Sequence, residues 1–396
     1  MQRISRFEVE NFKSLVNFEM NLPKFSCLIG LNGAGKSTVL QFIDFLSQLV
    51  RGDMKQWLAE RKWKSTDLKS KLTKKVNIEF RIQFRGENGE FVGRWEAIYN
   101  PSKNHCTKER IDLLDFVLQA ASGEIEVFCV KQPPPKGWKD WKLPITFSYE
   151  GSILSSLKED LLPASIRECK KGLAEIKSLD LLAPEHLRQR TRESSGTLGL
   201  GGQHLASFLH EMSDAKRRKM ISLLRKAYPR VEALHARSLR SGWKQIEISE
   251  GYQGRESGFF PAMTTEARHI NDGMLRMIAI LAELQSDNRF LLFDEIENGI
   301  NPELVEFVTN LLVEARQQVL VTTHSPMILN YLDDATAKSG VLYLYKTSEG
   351  FTRSIPFFSI PSMSKKLRVM GPGEAFVDTS LMDLGDEIVQ LEVEAE

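Results

Sequence analysis

The stretch GLNGAGKST, residues 30–38, decides the fold. It fits the pattern G-x-x-x-x-G-K-[S/T], with Gly30 and Gly35 as the glycines and Lys36 and Ser37 as the polar pair. In such a loop the glycines let backbone N–H groups wrap a β-phosphate, the lysine reaches the β- and γ-phosphate oxygens, and the hydroxyl ligates Mg²⁺. The stretch therefore predicts a site for ATP and Mg²⁺. We expect these residues to contact the nucleotide: Asn32, Gly33, Ala34, Gly35, Lys36, Ser37 and Thr38.

The residues on either side give this phosphate-binding loop (P-loop) the surroundings it needs. Before it, FSCLIG (25–30) is an apolar strand pattern. After it, apolar residues recur at helical spacing from Gly35 to about Leu49. A strand, a P-loop and a helix in this order predict an α/β fold.

Two later strand patterns end in polar residues that suit the same site. FLLFDE (290–295) predicts a buried strand that places Asp294 beside Mg²⁺, with Glu295 next to it to orient and deprotonate the attacking water. VLVTTHSP (319–326) predicts a second buried strand, which leads into His324. Because the ends of parallel strands meet at one edge of a sheet, we expect His324 to contact the γ-phosphate or the water.

A further anion site is indicated by HINDGMLRMI, residues 269–278. Asn271, Asp272 and Gly273 precede an apolar helical pattern, and a helix N-terminus can hold an anion with its backbone N–H groups. The alternative is an ordinary helix that Asn271 caps.

The composition limits the class of protein. The chain has 396 residues, a net charge of +1 and 42% hydrophobic residues, so it can bury a large core and has no overall basicity. Its four cysteines form no C-x-x-C pair, which argues against a zinc site or a disulfide framework. We found neither a signal peptide nor an apolar run of about 18 residues. We therefore expect a cytoplasmic protein without a membrane association.

We divide the chain into four parts. Residues 1–100 hold the P-loop and a β-hairpin at 76–99, and residues 241–350 hold the later strands and two amphipathic helices. Between them, 101–240 is predicted to be a helical insertion, with a loop at KQPPPKGWKDWKLP (131–144). Residues 351–396 form a C-terminal extension whose acidic end, 374–396, is predicted to be an amphipathic segment or a disordered tail.

The order of the pieces at 30–38, 271–276, 290–302 and 319–326 resembles the ABC-type ATPase heads of the RecF/SMC class. RFEVENFKSLVNFEM at the start is similar to the N-terminal strand pair of that class. LLAPEHLRQR and GLGGQHLASFLHEM are similar to the stand-alone, AAA-type members. The resemblance covers roughly 1–100 and 240–345, and the middle more loosely. It implies an ABC-type P-loop head with an N-terminal antiparallel β subdomain and an inserted helical region.

In that class, two heads enclose two nucleotides, and a signature segment of one head binds the γ-phosphate held by the other. INDGMLR would be the signature here, with Asn271 where the class commonly has serine. ENGINPE (297–303) resembles the D-loop, which crosses the dimer seam. The class also has a Q-loop glutamine, for which we retain three candidates: Gln83, Gln119 and Gln132.

Several relatives are disfavoured. The chain has no zinc hook or long coiled coil, so we do not expect a full SMC-type tether. Residues 325–396 leave little room for a fused TOPRIM nuclease of the OLD type. ABC transporter heads are shorter, lack such an insertion and carry a glutamine-ended signature.

Two segments are locally basic, and they are candidates for double-stranded DNA binding. Residues 51–75 carry nine Lys or Arg against three acids, and residues 216–240 carry nine against one. Lys and Arg supply non-specific affinity for DNA phosphates, and Trp57, Trp63, Trp138 and Trp141 could stack on bases. The alternative is that both segments are solvated surfaces.

The leading hypothesis is an ATPase that dimerises around nucleotide and transmits its ATP state to DNA or to a separate effector protein. Resemblance implies the ATPase or sensor subunit of a bacterial anti-phage system, with a nuclease or toxin as effector. One alternative is a RecF-like DNA repair ATPase that loads factors on DNA. The other is an ATP-bound oligomeric scaffold with little turnover.

Overall fold

The computed structural model describes residues 3–131, 133–179, 182–192, 196–254, 258–259 and 262–395. Within these residues, two large β-sheets enclose the helix that follows the P-loop. Most of the other helices pack on the far face of the second sheet. The α/β fold predicted from the sequence, with its antiparallel β subdomain, is confirmed.

The first large sheet is antiparallel and has the strand order β2-β1-β4-β5-β6-β7-β8-β9. Its strands are β1 (Arg3–Glu10), β2 (Phe18–Asn21), β4 (Ile78–Arg85), β5 (Phe91–Asn100), β6 (His105–Leu113), β7 (Phe116–Ala121), β8 (Glu124–Cys129) and β9 (Trp141–Pro144). In most of these strands buried and more exposed residues alternate, so that one face packs on the core and the other meets solvent.

The open face of the antiparallel sheet carries a row of alternating charges, which we call the charge ladder. Its members form ion pairs, some between neighbouring strands and some between residues two apart on one strand: Arg6, Glu8, Glu19, Arg81, Arg94, Glu96, Arg110 and Asp112. Arg81 illustrates the pattern, because it lies 3.1 Å from Glu8 and 2.7 Å from Glu96. Since acids and bases alternate, the face carries no large patch of one sign.

The second large sheet is parallel except at one edge, with the order β10-β16-β17-β3-β18-β19. Its strands are β3 (Phe25–Ile29), β10 (Ile176–Ser178), β16 (Phe290–Phe293), β17 (Gln318–Thr322), β18 (Val341–Lys346) and the antiparallel β19 (Thr352–Pro356). The inner strands are buried on both faces, as expected for a covered parallel sheet. This order places the carboxyl ends of β16, β17 and β3 side by side.

The helices and the smaller sheets complete the fold. The helices are α1 (Lys36–Arg51), α2 (Met54–Glu60), α3 (Ala164–Ala174), α4 (Pro184–Leu187), α5 (Leu205–Glu211), α6 (Asp214–Ala227), α7 (Asp272–Leu284), α8 (Pro302–Val313), α9 (Pro326–Asn330), α10 (Asp334–Gly340), α11 (Pro361–Lys366), α12 (Pro372–Val377) and α13 (Leu381–Ala395). The smaller sheets contain β11 (Val231–Ser238), β12 (Lys244–Glu250) and β15 (Met263–Glu266), and the pair β13 (Gln253–Gly254) and β14 (Gly258–Phe259). Among the described residues, no helix is both long and apolar enough to cross a membrane.

Helix α1 lies between the two large sheets and is buried along most of its length. Phe42 packs against Phe7 of β1, and Phe45 packs against Phe80 of β4. The helix ends at Gly52, whose φ of 78° suits a left-handed cap and whose N–H bonds to the Gln48 carbonyl. This packing fixes the P-loop at the amino end of α1.

The prediction of a helical insertion for 101–240 is wrong in its first part. Strands β6 to β9 extend the antiparallel sheet through this region, and the predicted loop at 131–144 ends in β9. The reason lies in a period-two pattern, because Ile111, Leu113, Leu118 and Val127 all face the core. The later part does contain helices, from α3 to α6, together with the short edge strand β10.

Over the described residues, the acidic C-terminal segment contains the end of α12 and the amphipathic helix α13. Leu384 and Ile388 of α13 are buried, and the Glu387 carboxylate accepts hydrogen bonds from the backbone N–H and the hydroxyl of Ser362. The preceding helix α12 contacts α9 closely, since a Cβ on Gly373 would lie 2.3 Å from the Pro326 carbonyl oxygen. The chain itself therefore covers one face of this segment.

Candidate active site

The P-loop adopts a turn that only glycine permits at two positions. A Cβ on Gly30 would lie 2.3 Å from the Leu344 carbonyl oxygen, and a Cβ on Gly35 would lie 2.4 Å from the Thr352 hydroxyl. Gly35 also has a φ of 110°. The loop can therefore approach β18 and β19 closely, and within it the Ala34 N–H donates to the Leu31 carbonyl oxygen at 3.1 Å. The predicted contacts Asn32 and Gly33 are exposed in this loop, whereas Ala34 is buried and Thr38 is half-buried.

Lys36 lies folded into the loop. Its ammonium group donates to the carbonyl oxygens of Gly30 at 2.8 Å and Leu31 at 3.2 Å. Burial lowers the pKa of Lys36, and the negative charges of Asp294 and Glu295 oppose that effect. The sequence thus places a cation inside the phosphate loop and acids across from it.

The structure brings Ser37 of α1 together with Asp294, the residue after β16. The Ser37 hydroxyl donates to one Asp294 carboxylate oxygen at 2.8 Å, and the Thr322 hydroxyl donates to the other. Hydroxyl and carboxylate oxygens are the hard ligands that Mg²⁺ prefers. The donor set therefore fits Mg²⁺, which Ser37 and Asp294 would hold.

Glu295 follows at the same edge of the sheet and has an exposed side chain. Its backbone φ is 46°, and its N–H donates to the Thr322 hydroxyl at 2.8 Å. His324 is also exposed, and its backbone N–H donates to a carboxylate oxygen of Glu297 at 2.8 Å. These contacts tie the turn after β16 to the turn after β17, next to the P-loop strand β3.

The predicted signature residues lie at the amino end of α7. Asn271 caps the helix, because its side-chain oxygen accepts from the Met274 N–H at 2.8 Å. Asp272 pairs with Arg188, and a Cβ on Gly273 would lie 2.6 Å from the Gly299 carbonyl oxygen. This segment therefore packs against the predicted D-loop of its own chain. The capping that we considered as the alternative is present, and the Asn271 side-chain N–H groups remain for a ligand.

Thr352 of β19 is a residue of the site for which we found no signal in the sequence. Its buried hydroxyl donates to the Ala34 carbonyl oxygen at 2.9 Å, receives a hydrogen bond from Lys346 at 3.0 Å and lies 2.9 Å from the Ser14 hydroxyl. It therefore joins the P-loop to the N-terminal segment and to β18. These positions are far apart in the chain, so residue spacing alone does not indicate the contact.

We expect Thr352→Val to weaken both the fold and ATP binding. The change leaves the Ala34 carbonyl and the Lys346 ammonium without this partner, so the free energy of unfolding should fall by about 1–3 kcal/mol. Urea denaturation and ATP titration by calorimetry would measure the two effects. Thr336→Val is the control, because Thr336 lies on α10 and its hydroxyl bonds to Asp333, the residue that caps that helix. Unchanged ATP affinity in Thr352→Val would show that the hydrogen bond from Thr352 to Ala34 does not hold the P-loop in its binding conformation.

Some predicted residues lie away from the site. Gln83 and Gln119 are on β4 and β7 of the antiparallel sheet, and Gln119 bonds to Glu126 there. Gln132 lies outside the described residues. The structure therefore gives no support to Gln83 or Gln119 as the Q-loop glutamine.

The two basic segments use part of their charge within the fold. In 51–75, Arg61 pairs with Asp44 in the core, and Trp57 is buried with its ring N–H on the same carboxylate, so Trp57 cannot stack on a base. In 216–240, Arg217 donates to three backbone carbonyls, and Lys216 pairs with Asp287. DNA binding through the exposed remainder of these segments stays a prediction.

Two family models match the chain. Residues 2–140 match the model described as "AAA ATPase domain", and residues 262–330 match the one described as "AAA domain, putative AbiEii toxin, Type IV TA system". No curated protein is similar enough in sequence to count as a relative.

Solved structures show the same fold. One is an SmcHead bound to the C-winged helix domain of ScpA, with 15% identity and a TM-score of 0.51 over 89% of this chain and 96% of that one. Another is the Pyrococcus furiosus Smc head domain with an extended coiled coil, bound to the C-terminal domain of ScpA. It has 14% identity and a TM-score of 0.50 over 93% of this chain and 100% of that one. The chain therefore has the fold of SMC heads, and two of its segments match models of AAA-type ATPase domains.

Proposed function

We propose that this chain hydrolyses ATP and that two copies close head to head around two nucleotides. The observation that carries the proposal is the meeting of Lys36, Ser37, Asp294 and Glu295 at the carboxyl ends of neighbouring parallel strands. A cation in a phosphate loop, a hydroxyl–carboxylate pair and an exposed carboxylate are what phosphoryl transfer to water needs.

Each residue has a role that follows from its chemistry. Lys36 leaves its carbonyl partners to bind phosphate oxygens, and the loop N–H groups surround the same charge. Ser37 and Asp294 would hold Mg²⁺, which neutralises the phosphate charge when it is bound. Glu295 orients a water and takes its proton. His324, at the end of the next strand, contacts the γ-phosphate or that water.

The head-to-head arrangement would use the amino end of α7. This end offers backbone N–H groups and the side-chain amide of Asn271 to an anion. Gly273 packs closely on Gly299, so the predicted signature and the predicted D-loop are adjacent. A second copy could therefore contact both segments at once. The γ-phosphate held by the second copy's P-loop is the anion that this surface would take.

We propose that the ATP state of this chain controls a separate effector protein. Among the residues that the structure describes we assign no second chemical centre, and the two similar SMC heads are each bound to a domain of another protein, ScpA. The description of the model that matches 262–330 names a toxin and a toxin–antitoxin system. We therefore propose an ATPase or sensor subunit of a bacterial anti-phage or toxin–antitoxin system, with a nuclease or toxin as effector.

The test is the solution mass of Glu295→Gln with and without Mg-ATP, measured by light scattering. A monomer that doubles its mass only with ATP is the expected result, because the variant binds ATP without consuming it. Asn271→Asp keeps a side-chain oxygen to cap α7 but puts a negative charge where the second copy's γ-phosphate would lie, so this variant should keep ATP binding and remain a monomer. A monomer in both conditions would contradict the head-to-head dimer.

The alternatives predict other results. A large particle that ignores ATP and purifies with bound nucleotide would indicate the scaffold. A RecF-like repair ATPase should prefer gapped or branched DNA over blunt duplex, and exposed lysines such as Lys62, Lys64 and Lys74 would contribute to that binding.

A further inference from the structure

Thr322, the last residue of β17, is a buried polar residue that makes several contacts in the site. Its side chain is fully enclosed, and its hydroxyl both donates to an Asp294 carboxylate oxygen and accepts from the Glu295 N–H at 2.8 Å. Its carbonyl oxygen accepts from the Ile296 N–H at 3.2 Å. One residue thus bonds to three consecutive residues of the turn after β16.

The position would otherwise favour an aliphatic residue. The preceding strand residues Val319, Leu320 and Val321 are apolar and fully buried. A buried hydroxyl costs free energy unless it is hydrogen-bonded, and valine has nearly the same shape as threonine. Packing alone therefore does not explain the hydroxyl. Its two hydrogen-bond partners are the Asp294 carboxylate and the Glu295 N–H.

The hydrogen bond between Thr322 and the Glu295 N–H stabilises an unusual backbone conformation of Glu295. Its φ of 46° lies in the left-handed region, which residues other than glycine rarely occupy unless their surroundings enforce it. The Thr322 hydroxyl is the partner of the Glu295 N–H in this conformation. The same hydroxyl orients Asp294, so the directions of both carboxylates depend on it.

We infer that Thr322 is a positioning residue for ATP hydrolysis, which holds Glu295 in its left-handed conformation and so directs its carboxylate at the water. This inference rests on the proposed role of Glu295 as the base. The Thr322 side chain itself is fully enclosed by protein, so we assign it a positioning role and not a catalytic one. Removing its hydroxyl should therefore slow the chemical step. At saturating Mg²⁺, nucleotide binding should stay nearly intact, because the Ser37 hydroxyl still holds the other Asp294 carboxylate oxygen.

The experiment compares steady-state kinetics at saturating Mg²⁺ for Thr322→Val, Thr322→Ser and the parent, with ATP affinity and melting temperature measured for each. For Thr322→Val, kcat should fall roughly tenfold to a hundredfold, the effect expected from a misplaced catalytic group. KM and ATP affinity should stay near the parent values. Thr322→Ser keeps the hydroxyl and should recover most of the activity.

The matched control is Thr309→Val. Thr309 is also buried, and its hydroxyl donates to the Val305 carbonyl oxygen within α8 at 2.8 Å. This variant should lose stability without losing kcat. Parent kcat in Thr322→Val, or an equal loss in Thr309→Val, would overturn the inference. A Thr322→Ser variant as slow as Thr322→Val would also overturn it. If Thr322→Val fails to fold, a folded Thr322→Ser variant with a kcat far below that of the parent would overturn it instead.

The failure of this inference can be separated from the failure of the proposed function. If Glu295→Gln turns over at the parent rate, Glu295 is not the base and the proposed mechanism fails. If Glu295→Gln is inactive while Thr322→Val matches the parent, only the positioning role fails.

Discussion

Glu295→Gln is expected to reduce ATP turnover by roughly 10²–10⁴-fold, the usual contribution of a positioned general base. Glutamine has the size of glutamate and keeps the contact of its backbone N–H with Thr322, but its amide cannot take a proton from water. ATP affinity should stay close to that of the parent. Phosphate release under saturating Mg-ATP and a nucleotide titration would measure the two quantities.

The matched control for this change is Glu306→Gln. Glu306 is an exposed carboxylate on α8, on the same segment of chain but away from the strand ends. It should retain the parent turnover. Parent turnover in Glu295→Gln would show that another group activates the water.

Lys36→Ala is expected to lose ATP affinity by about ten- to a hundredfold or more. Hydrogen bonds to charged groups are worth about 1.5–3 kcal/mol each, and 1.4 kcal/mol corresponds to a tenfold change in affinity. The lysine lies within the loop, where its ammonium group donates to the carbonyl oxygens of Gly30 and Leu31. Calorimetric titration with a non-hydrolysable ATP analogue would give the affinity without interference from turnover.

Lys62→Ala removes an exposed lysine away from the P-loop and serves as the control. It should bind the analogue like the parent. Melting temperatures of both variants would separate a loss of binding from a loss of folding, because Lys36 is buried and donates to two carbonyls. Parent affinity in a folded Lys36→Ala would contradict the assignment of the P-loop.

The parts of the fold that the sequence predicts are those with local patterns. The P-loop, the strands before Asp294 and His324, and the helix after Asn271 each follow from a contiguous run of residues whose period and end are visible. Their meeting at one edge follows from the parallel sheet. Strands β6 to β9 also carry a local pattern, and Ser122 and Gly123 both have positive φ in the tight turn between β7 and β8. The helical prediction for residues 101–240 is therefore wrong over β6 to β9, where the period is two.

Other features depend on contacts between distant segments. The contact of Thr352 with Ala34 joins β19 to the P-loop, and no spacing rule connects two such positions. The hydroxyl of Thr322 is visible in the sequence as a polar end to an apolar strand, but its two partners are not. The edge strand β10 has only three residues, which is too short for a periodic signal. Tertiary packing therefore decides these contacts.

The charge ladder has a consequence for how the antiparallel sheet finds its register. Alternating apolar residues forbid a slip of one position, which would turn the core face outward, but they tolerate a slip of two. Between β5 and β6, the native register sets Arg94 opposite Asp112 and Glu96 opposite Arg110. A slip of two in one direction would set Arg94 opposite Arg110, and in the other direction Glu96 opposite Asp112. Either error places like charges face to face, which is unfavourable. The surface charges thus disfavour registers shifted by two residues, which the hydrophobic pattern alone would allow.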